Sequence, residues 1–359
     1  PILGDTLKIK SKPGDFKVFE VLKEKPSKRD GEYRYYTLFK RGIETKEAIG
    51  RVAKLSRVSP KEIFYGGLKD KNAETTQFIA VRRPLKLKEI RDRNLKLCFV
   101  GYLDRPPKEL IEGNRFEVLV RGVRKVPEER FRVLEDVGIP NYYGEQRFTP
   151  VRGGRFFVQE LLKGPKCALV YLFTPAGWEN SLSRRAKKLF IQGKFKEASS
   201  LFRGWRRKVS DFLSKGGSFE EALNLVPKEE VEFQLNVFQS YLFNRLLSDL
   251  IKGKTPNLVK FKYKLGYLYY PLESVSVPRE LPVFTPKLDL YDSLISQIGV
   301  DRNSLLHLSD YFHSFERKTF VKPKGFEIEE VDKGSYLLKF FLPSGSYATN
   351  LLRFLFSAV

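Results

Sequence analysis

Asp70 is a carboxylate that lies between two lysines, Lys69 and Lys71, within the polar segment 67–77. A cationic neighbourhood keeps a carboxylate ionised, so that it can act as a nucleophile or as a base. Glycine and aspartate are also common in polar surface turns, and the segment taken alone favours such a turn. Neighbouring side chains of an extended chain point to opposite sides, so we expect a partner for Asp70 from elsewhere in the chain.

A second segment, residues 140–148, combines aromatic rings with an amide and a guanidinium group. Aromatic side chains stack on unpaired bases, Asn141 can read a base edge, and Arg147 can hold a phosphate. The same aromatic residues could equally complete a hydrophobic core. The residue types therefore leave both interpretations open.

A third segment, residues 342–350, places small residues around Tyr347. Glycine and serine beside an aromatic ring let a ligand approach the backbone closely. The alternative is a strand-to-helix turn with Tyr347 packed inside, and this segment taken alone favours that alternative.

Basic clusters and the few metal-binding side chains complete the candidates. Two clusters could follow a phosphate backbone or form solvated helix faces; they are Arg82, Arg83, Lys86, Lys88, Arg91 and Arg93, and Arg203, Arg206, Arg207 and Lys208 around Trp205. Two cysteines, Cys98 and Cys167, are too few for a disulfide framework or a zinc site. Two histidines, His307 and His313, are interpreted as structural.

The first 150 residues have the pattern of a mixed α and β structure. Strands are predicted over 16–22, 33–40, 75–81 and 115–121, from alternating or β-prone residues. Thr45 is predicted to cap a helix that runs to about Arg57. Residues 59–62 form a capping box, so a short helical turn should follow. The Asp70 segment is then an ordered loop between secondary elements, where catalytic groups tend to lie.

From about residue 155 the pattern becomes helical, including 183–202 and 231–251, and a proline-rich extended connection follows over 271–286. Strand character returns over 336–342, and 348–355 is predicted to be helical. Ends rich in β structure therefore flank a helical middle. This order predicts an α+β protein in which both ends of the chain complete one sheet around an inserted domain.

The charge of the chain points to a polyanionic partner. The 359 residues carry 66 Lys and Arg against 43 Asp and Glu, a net charge of +23, and 42% are hydrophobic. Such an excess favours nucleic acid, although a lysine-rich surface of a heat-adapted protein is the alternative. The sequence has no apolar stretch long enough to span a membrane and opens without a signal-peptide pattern. We expect a cytoplasmic protein.

Together, these segments resemble the TruD family of pseudouridine synthases. The matching residues occur in the family's order and span nearly the whole chain; they are Phe16, Val18 and Glu20, Lys40 with Thr45, residues 67–77, 113–116 leading to Arg121, 141–148, 239–244, and 342–349 running into Leu352 and Arg353.

The resemblance implies an RNA-modifying enzyme that converts uridine to pseudouridine, usually uridine 13 of tRNA, with one aspartate and neither metal nor organic cofactor. It implies Asp70 as the catalytic residue. Substrate contacts are implied for Phe16, Asn141, Tyr347, Lys10, Glu20 and Tyr143. The implied partner is tRNA, and no obligatory protein partner is evident.

The implied fold is a pseudouridine synthase α/β (α+β) catalytic domain with a mixed, mainly antiparallel sheet and an inserted, largely helical TRUD domain. The expected boundaries are 1–153 with 304–359 for the catalytic domain and 154–303 for the inserted one.

The sequence departs from the family at three positions. Tyr143 replaces a common Phe, Thr149 replaces a common Gly, and Tyr347 lies where members have Phe or Tyr. A tyrosine can donate a hydrogen bond as well as stack, so the role of the Tyr347 hydroxyl is open. Two other functions remain as alternatives, a non-catalytic RNA-binding or chaperone protein on the same fold and a DNA-binding protein.

Overall fold

The computed structural model describes residues 12–27, 30–123 and 128–357. Within these ranges the strands are β1 (Phe16–Leu22), β2 (Tyr33–Arg41), β3 (Ile63–Tyr65), β4 (Glu74–Arg82), β5 (Ile90–Arg91), β6 (Leu95–Leu103), β7 (Ile111–Arg121), β8 (Ile139–Pro140), β9 (Leu258–Tyr263), β10 (Gly266–Pro271), β11 (Glu280–Pro282), β12 (Glu316–Lys318), β13 (Phe320–Val321), β14 (Lys324–Asp332) and β15 (Ser335–Pro343).

In the same ranges the helices are α1 (Thr45–Ser56), α2 (Pro107–Leu110), α3 (Glu128–Asp136), α4 (Phe157–Leu162), α5 (Pro165–Leu172), α6 (Ser181–Ile191), α7 (Phe195–Leu201), α8 (Gly204–Ser214), α9 (Phe219–Asn224), α10 (Lys228–Lys252), α11 (Asp292–Ser296) and α12 (Ala348–Phe356). Short 3₁₀ segments are Pro13–Asp15, Pro60–Glu62, Glu145–Phe148, Asp289–Tyr291 and Asn303–Tyr311.

The chain divides into two compact units. The first comprises the described residues within Pro1–Asn141, Leu272–Ser274 and Phe320–Val359, and the second comprises Tyr142–Pro271 and Val275–Thr319. The sequence placed the main boundaries near residues 153 and 304. The assignment of a catalytic and an inserted role to the two units stays a prediction.

A nine-stranded sheet organises the first unit. The strand order is β14-β15-β7-β1-β4-β2-β6-β5, and β3 pairs with β4. The pairs are antiparallel except for β1 with β4, which run parallel. The sheet is therefore mixed and mainly antiparallel. Strands from both ends of the chain lie side by side in it, as the sequence predicted.

Helix α1 covers one face of this sheet. Its buried residues Ile49 and Val52 pack in a cluster with Leu38 of β2 and Ile79 of β4. Burial of such side chains contributes about 1.5–3 kcal/mol each. The predicted capping box follows the helix, with the Ser59 N–H donating to the Glu62 carboxylate over 2.9 Å.

The predicted helix cap at Thr45 is wrong, because Glu44 occupies the cap position and Thr45 is the first helical residue. The Thr45 hydroxyl is used elsewhere: it accepts a hydrogen bond from the Lys69 N–H over 2.9 Å. A tertiary contact has therefore replaced the local one.

The second unit contains the predicted helices and some unpredicted strands. Helix α10 confirms the predicted helix over 231–251 and buries Leu235, Phe238 and Leu242. The stretch 183–202 forms two helices rather than one, separated near Gly193, whose φ is +77°. Strands β9 and β10 form a hairpin that the sequence analysis missed. In the described part of the chain, no helix is long and apolar enough to cross a membrane.

Candidate active site

The face of the sheet that packs against α1 becomes polar at one end. In β2 and β4, the buried Leu38 and Ile79 are followed along the same face by Lys40, Thr75 and Gln77. Lys40 pairs with Thr75 and Leu38 pairs with Gln77 in the register of the two strands. Buried polar side chains require partners, and the loop that precedes β4 provides most of those of Lys40 and Gln77.

Lys40 binds that loop through its carbonyl oxygens. The side chain is fully buried, and its ammonium donates to the carbonyl oxygens of Lys69 at 3.1 Å and Asp70 at 2.8 Å. A third bond, of 3.0 Å, goes to the carbonyl of Ile43. Hydrogen bonds from a charged donor are worth about 1.5–3 kcal/mol each, so Lys40 fixes the backbone on which Asp70 is carried.

Two further side chains hold the same loop. The Thr45 hydroxyl accepts the Lys69 N–H, and the Gln77 amide donates to the Gly67 carbonyl over 3.3 Å. At the start of the loop, Gly66 passes so close to Ile111 that a Cβ atom would lie 1.6 Å from its side chain. The position of the loop is therefore fixed at both its entry and its centre.

Glu20 stabilises the place where β1 separates from β4. The register joins Lys17, Val18 and Phe19 of β1 to β4 and stops before Glu20. The Glu20 carboxylate accepts a bond of 2.9 Å from the Phe78 N–H and forms an ion pair of 2.7 Å with Lys69. The Lys69 ammonium is therefore paired with Glu20, and the expectation that a partner of Asp70 comes from elsewhere in the chain stays a prediction.

Asp70 itself lies half-buried on the loop. One carboxylate oxygen accepts the Asn72 N–H at 2.9 Å, which closes a local turn and orients the side chain. Burial lowers the pKa of Lys40 to about 8, and the negative charge of Asp70 raises it in part. The same attraction favours the ionised form of Asp70, which is the form that a nucleophile or base needs.

Phe16 begins β1 at the end of the sheet where β4 also begins. Its neighbour Lys17 pairs with Glu74, so Phe16 lies beside the residues that connect Asp70 to β4. Phe16 is 4% exposed as a whole residue, and its ring meets that of Phe116 edge-on, with 6.0 Å between ring centres. A contact of Phe16 with a substrate base stays a prediction.

Asn141 and Tyr347 lie on elements that pack together. Asn141 follows β8 and is buried, and Tyr347 is half-buried at the first turn of α12, which packs against β8. Before Tyr347, the Ser344 N–H donates to the Glu112 carbonyl over 2.9 Å, which ties this turn to the start of β7. Convergence of these two residues on Asp70 stays a prediction.

Tyr143 belongs to the second unit. Asn244 bonds both its backbone groups, at 2.8 and 3.0 Å, and the Arg317 guanidinium lies 4.0 Å from the ring centre. These contacts make Tyr143 part of the packing of that unit, and its contact with the substrate stays a prediction. Lys10 lies outside the described residues.

Lys40 matches the family in the sequence, but its residue type alone indicated no role in the site. One feature of the sequence did point to such a role: Lys40 lies on the inward face of an otherwise apolar strand. A buried lysine needs hydrogen-bond acceptors, so a specific set of partners could be expected. Two of its three acceptors lie about thirty residues later in the chain, and no local pattern identifies them. Among the described residues, no group of three or more His, Cys, Asp and Glu side chains is placed to hold a metal ion.

Comparison with known proteins gives a consistent family. Residues 4–260 match the family model described as tRNA pseudouridine synthase D (TruD). The chain is similar to tRNA pseudouridine synthase D of Aquifex aeolicus, with 31% identity over 98% of each chain. It is also similar to the protein of Pyrococcus furiosus described as a probable tRNA pseudouridine synthase D, with 29% identity over 96% of this chain and 94% of the relative.

A solved structure shows the same fold. A Methanosarcina mazei protein assigned to tRNA pseudouridine synthase D superposes with a TM-score of 0.63 and 22% identity, covering all of this chain and 96% of the other. The likeness extends over both units of the chain.

Proposed function

The chain belongs to the TruD family of tRNA pseudouridine synthases, and we propose that it converts uridine 13 of tRNA to pseudouridine with Asp70 as its single catalytic carboxylate. The observation that carries this proposal is the fixed loop around Asp70. Lys40, Thr45 and Gln77 bind its backbone, while the Asp70 side chain is only half-buried. Such a loop holds a reactive group in one position at little further entropic cost.

The reaction rearranges bonds within one nucleotide. The bond between uracil N1 and the ribose breaks, the uracil rotates, and C5 joins the ribose. The C5 proton is released and N1 takes up a proton, so the product is an isomer of the substrate. The carboxylate of Asp70 acts either by attacking the ribose or the uracil, or by removing a ribose proton after the glycosidic bond breaks. Each route requires the ionised acid, and the positive charge of Lys40 favours that form.

The target base lies inside folded RNA and must first leave its stack. We assign to Phe16 and Tyr347 the stacking on the flipped base and to Asn141 the reading of its edge. Lys10 and Tyr143 remain proposed substrate contacts. Glu20 is a weaker candidate for such a contact, because both its carboxylate oxygens accept bonds within the protein.

The two compact units are proposed to have different roles. The nine-stranded sheet carries Asp70, Phe16 and Glu20, so we assign the catalytic role to the first unit and the inserted TRUD role to the second. The net charge of +23 attracts the phosphates of RNA, and this attraction does not depend on the nucleotide sequence.

Asp70→Asn tests the catalytic assignment, because the amide keeps the shape of the side chain and removes its charge. We expect no tritium release from unmodified tRNA labelled at uridine C5, with RNA affinity roughly intact. Asp92→Asn is the matched control, because Asp92 also accepts the N–H two residues later at 2.9 Å but lies in another loop. Near-normal turnover by the Asp70 variant would overturn the assignment.

The target nucleotide is tested on the RNA. Wild-type protein is incubated with an unmodified tRNA transcript and with one carrying cytidine at position 13, and pseudouridine is mapped at each position. We expect modification at position 13 of the first transcript and none in the second. Modification elsewhere would refute the choice of nucleotide, and tight binding without any pseudouridine would favour the non-catalytic alternative.

A further inference from the structure

One stretch of the second unit is unusually basic. Residues 181–208 contain ten Lys and Arg residues and one acidic residue, Glu197. Within this stretch, α6 carries Arg184, Arg185 and Lys188 on its exposed side. Among the residues that the structure describes, no carboxylate lies within ion-pair distance of these three side chains. Their positive charge is therefore available to a partner.

These side chains line a shallow groove along the helix. The groove has a volume of about 540 Å³, and its other lining residues are Ser181, Leu189 and Gln192. Its size accommodates part of a polymer backbone, and its charge selects a polyanion. The groove begins at the first turn of α6, where the preceding segment presents a second unusual feature.

Trp178 lies two residues before the cap of α6 and is 73% exposed. An indole is costly to leave in water, and large apolar groups on a surface often mark a binding site. Within the described ranges, no aromatic ring or cation stacks on Trp178. The other tryptophan, Trp205, is half-buried and meets both Phe173, at 5.7 Å, and Arg206, at 4.2 Å.

The turn that carries Trp178 is firmly anchored. Glu179 forms an ion pair of 2.5 Å with the buried Lys187 and accepts the Ala176 N–H at 3.1 Å. On the other side, the Asn180 side chain caps α6 by accepting the Ser183 N–H at 2.8 Å. The backbone that carries Trp178 is therefore fixed by Glu179 and Asn180, while the indole itself is exposed. A fixed position lowers the entropic cost when the indole binds a partner.

We propose that Trp178 and the basic side of α6 bind an unpaired stretch of the RNA substrate. The indole stacks on one base, and Arg184, Arg185 and Lys188 contact phosphates of the same strand. The inference rests on the proposed function for the identity of the RNA. Exposed Leu182 and Ile191 lie nearby and would also suit a protein partner, but the excess of positive charge favours RNA.

The first test uses the two tryptophans of the chain. In the Trp205→Phe variant, Trp178 is the only source of indole fluorescence. We expect quenching on saturation with tRNA or with a single-stranded oligonucleotide, and little change with heparin, which offers charge without bases. The reciprocal Trp178→Phe variant should show little change. Absence of quenching by tRNA, or equal quenching by heparin, would overturn the proposal.

The second test measures RNA affinity. Trp178→Ala should weaken the Kd for tRNA by roughly 5- to 100-fold, the range expected for loss of one stacked base. R184E/R185E should lower the slope of log K against log salt by roughly 1.5 to 2, because two phosphate contacts are lost. The matched control K254E/K262E makes the same charge change on exposed lysines elsewhere in the unit and should alter both quantities far less.

These outcomes are separable from failure of the proposed function. If the wild type binds tRNA with quenching of Trp178 but forms no pseudouridine, the enzymatic proposal fails and this surface stands. If pseudouridine forms normally while Trp178→Ala and R184E/R185E bind tRNA as tightly as wild type, the surface is refuted and the enzymatic proposal stands.

Discussion

Two buried lysines each hold a loop in place, and they do so by different chemistry. Lys40 is fully buried and gives its three hydrogen bonds to carbonyl oxygens of the backbone, including that of Asp70. Lys187 is 4% exposed and binds the carboxylate of Glu179, next to Trp178. Each lysine fixes a short segment whose neighbouring side chain is proposed to meet RNA.

The difference lies in what happens to the charge. Glu179 neutralises Lys187, so the Trp178 turn is anchored without a net local charge. Carbonyl oxygens stabilise Lys40 but leave its positive charge in place beside Asp70. We infer that the first arrangement serves to present a side chain, whereas the second also favours the ionised form of a reactive carboxylate.

The largest effect should come from replacing each lysine by methionine, which removes the charge and keeps most of the volume. Lys40→Met removes the donor that three backbone carbonyls share and loosens the Asp70 loop, so we expect single-turnover conversion to slow by roughly 100-fold. Lys187→Met leaves Glu179 unpaired and should act mainly on the Kd for tRNA.

Both variants should also lose stability, by about 3–5 kcal/mol for a broken buried charge pair at Lys187 and by a similar order at Lys40. Urea unfolding gives the fraction of each variant that is folded at the assay temperature. Conversion rates are then corrected to that fraction, so that lost stability is not counted as lost activity. Equal losses of rate and affinity in both variants would remove the distinction between the two lysines.

A smaller effect should appear with pH. Burial lowers the pKa of Lys40 to about 8 in the folded protein, against an ordinary value of 10.5. Between these values the unfolded chain binds more protons, so this group makes the free energy of unfolding rise with pH. Wild type should therefore gain stability relative to Lys40→Met between pH 8 and pH 10, as measured by urea unfolding. Parallel curves for the two proteins would contradict the assigned pKa.

Conversion should change in the opposite direction over the same range. Above pH 8, Lys40 loses the charge that strengthens its hydrogen bonds to the carbonyls of Lys69 and Asp70. The loop is then held less firmly, and the single-turnover rate of wild type should fall in that range. The residual rate of Lys40→Met should lack this decline. A decline of equal size in both proteins would assign it to the RNA or to another group.

The smallest effect is expected at Tyr347. Tyr347→Phe keeps the ring that is proposed to stack on the base, so conversion should fall by less than about threefold if stacking is its role. Single-turnover rates at saturating tRNA measure this directly, with Tyr347→Ala as the variant that removes the ring. A loss of 100-fold or more in the Phe variant would show that the hydroxyl takes part in the chemistry.

Much of the fold follows from local patterns. Alternation of apolar residues over 16–22 and 115–121 identified neighbouring strands of one sheet, and helical periodicity identified α10 and α12. The β9–β10 hairpin was missed, although its residues 258–263 and 266–271 are β-prone, because the sequence that precedes it is strongly helical. Strand alternation and helical periodicity each extend over only a few residues, which is why both can be detected in a sequence.

The site was only partly predictable, because its key contacts join distant parts of the chain. Asp70 was proposed as the catalytic residue through resemblance, whereas its loop taken alone favoured a surface turn. Thr45 had the pattern of a helix cap, and its hydroxyl instead binds Lys69, twenty-four residues later. The exposure of Trp178 is also a tertiary property, since the sequence alone does not distinguish it from the half-buried Trp205.

The most direct test of this account measures two quantities on one tRNA preparation, the Kd and the single-turnover rate of pseudouridine formation at saturating protein. Asp70→Asn should bind with a Kd close to that of wild type and form no pseudouridine. Trp178→Ala should bind roughly 5- to 100-fold more weakly and show its loss mainly in the Kd. Pseudouridine formation by the Asp70 variant at a rate near that of wild type would contradict the account.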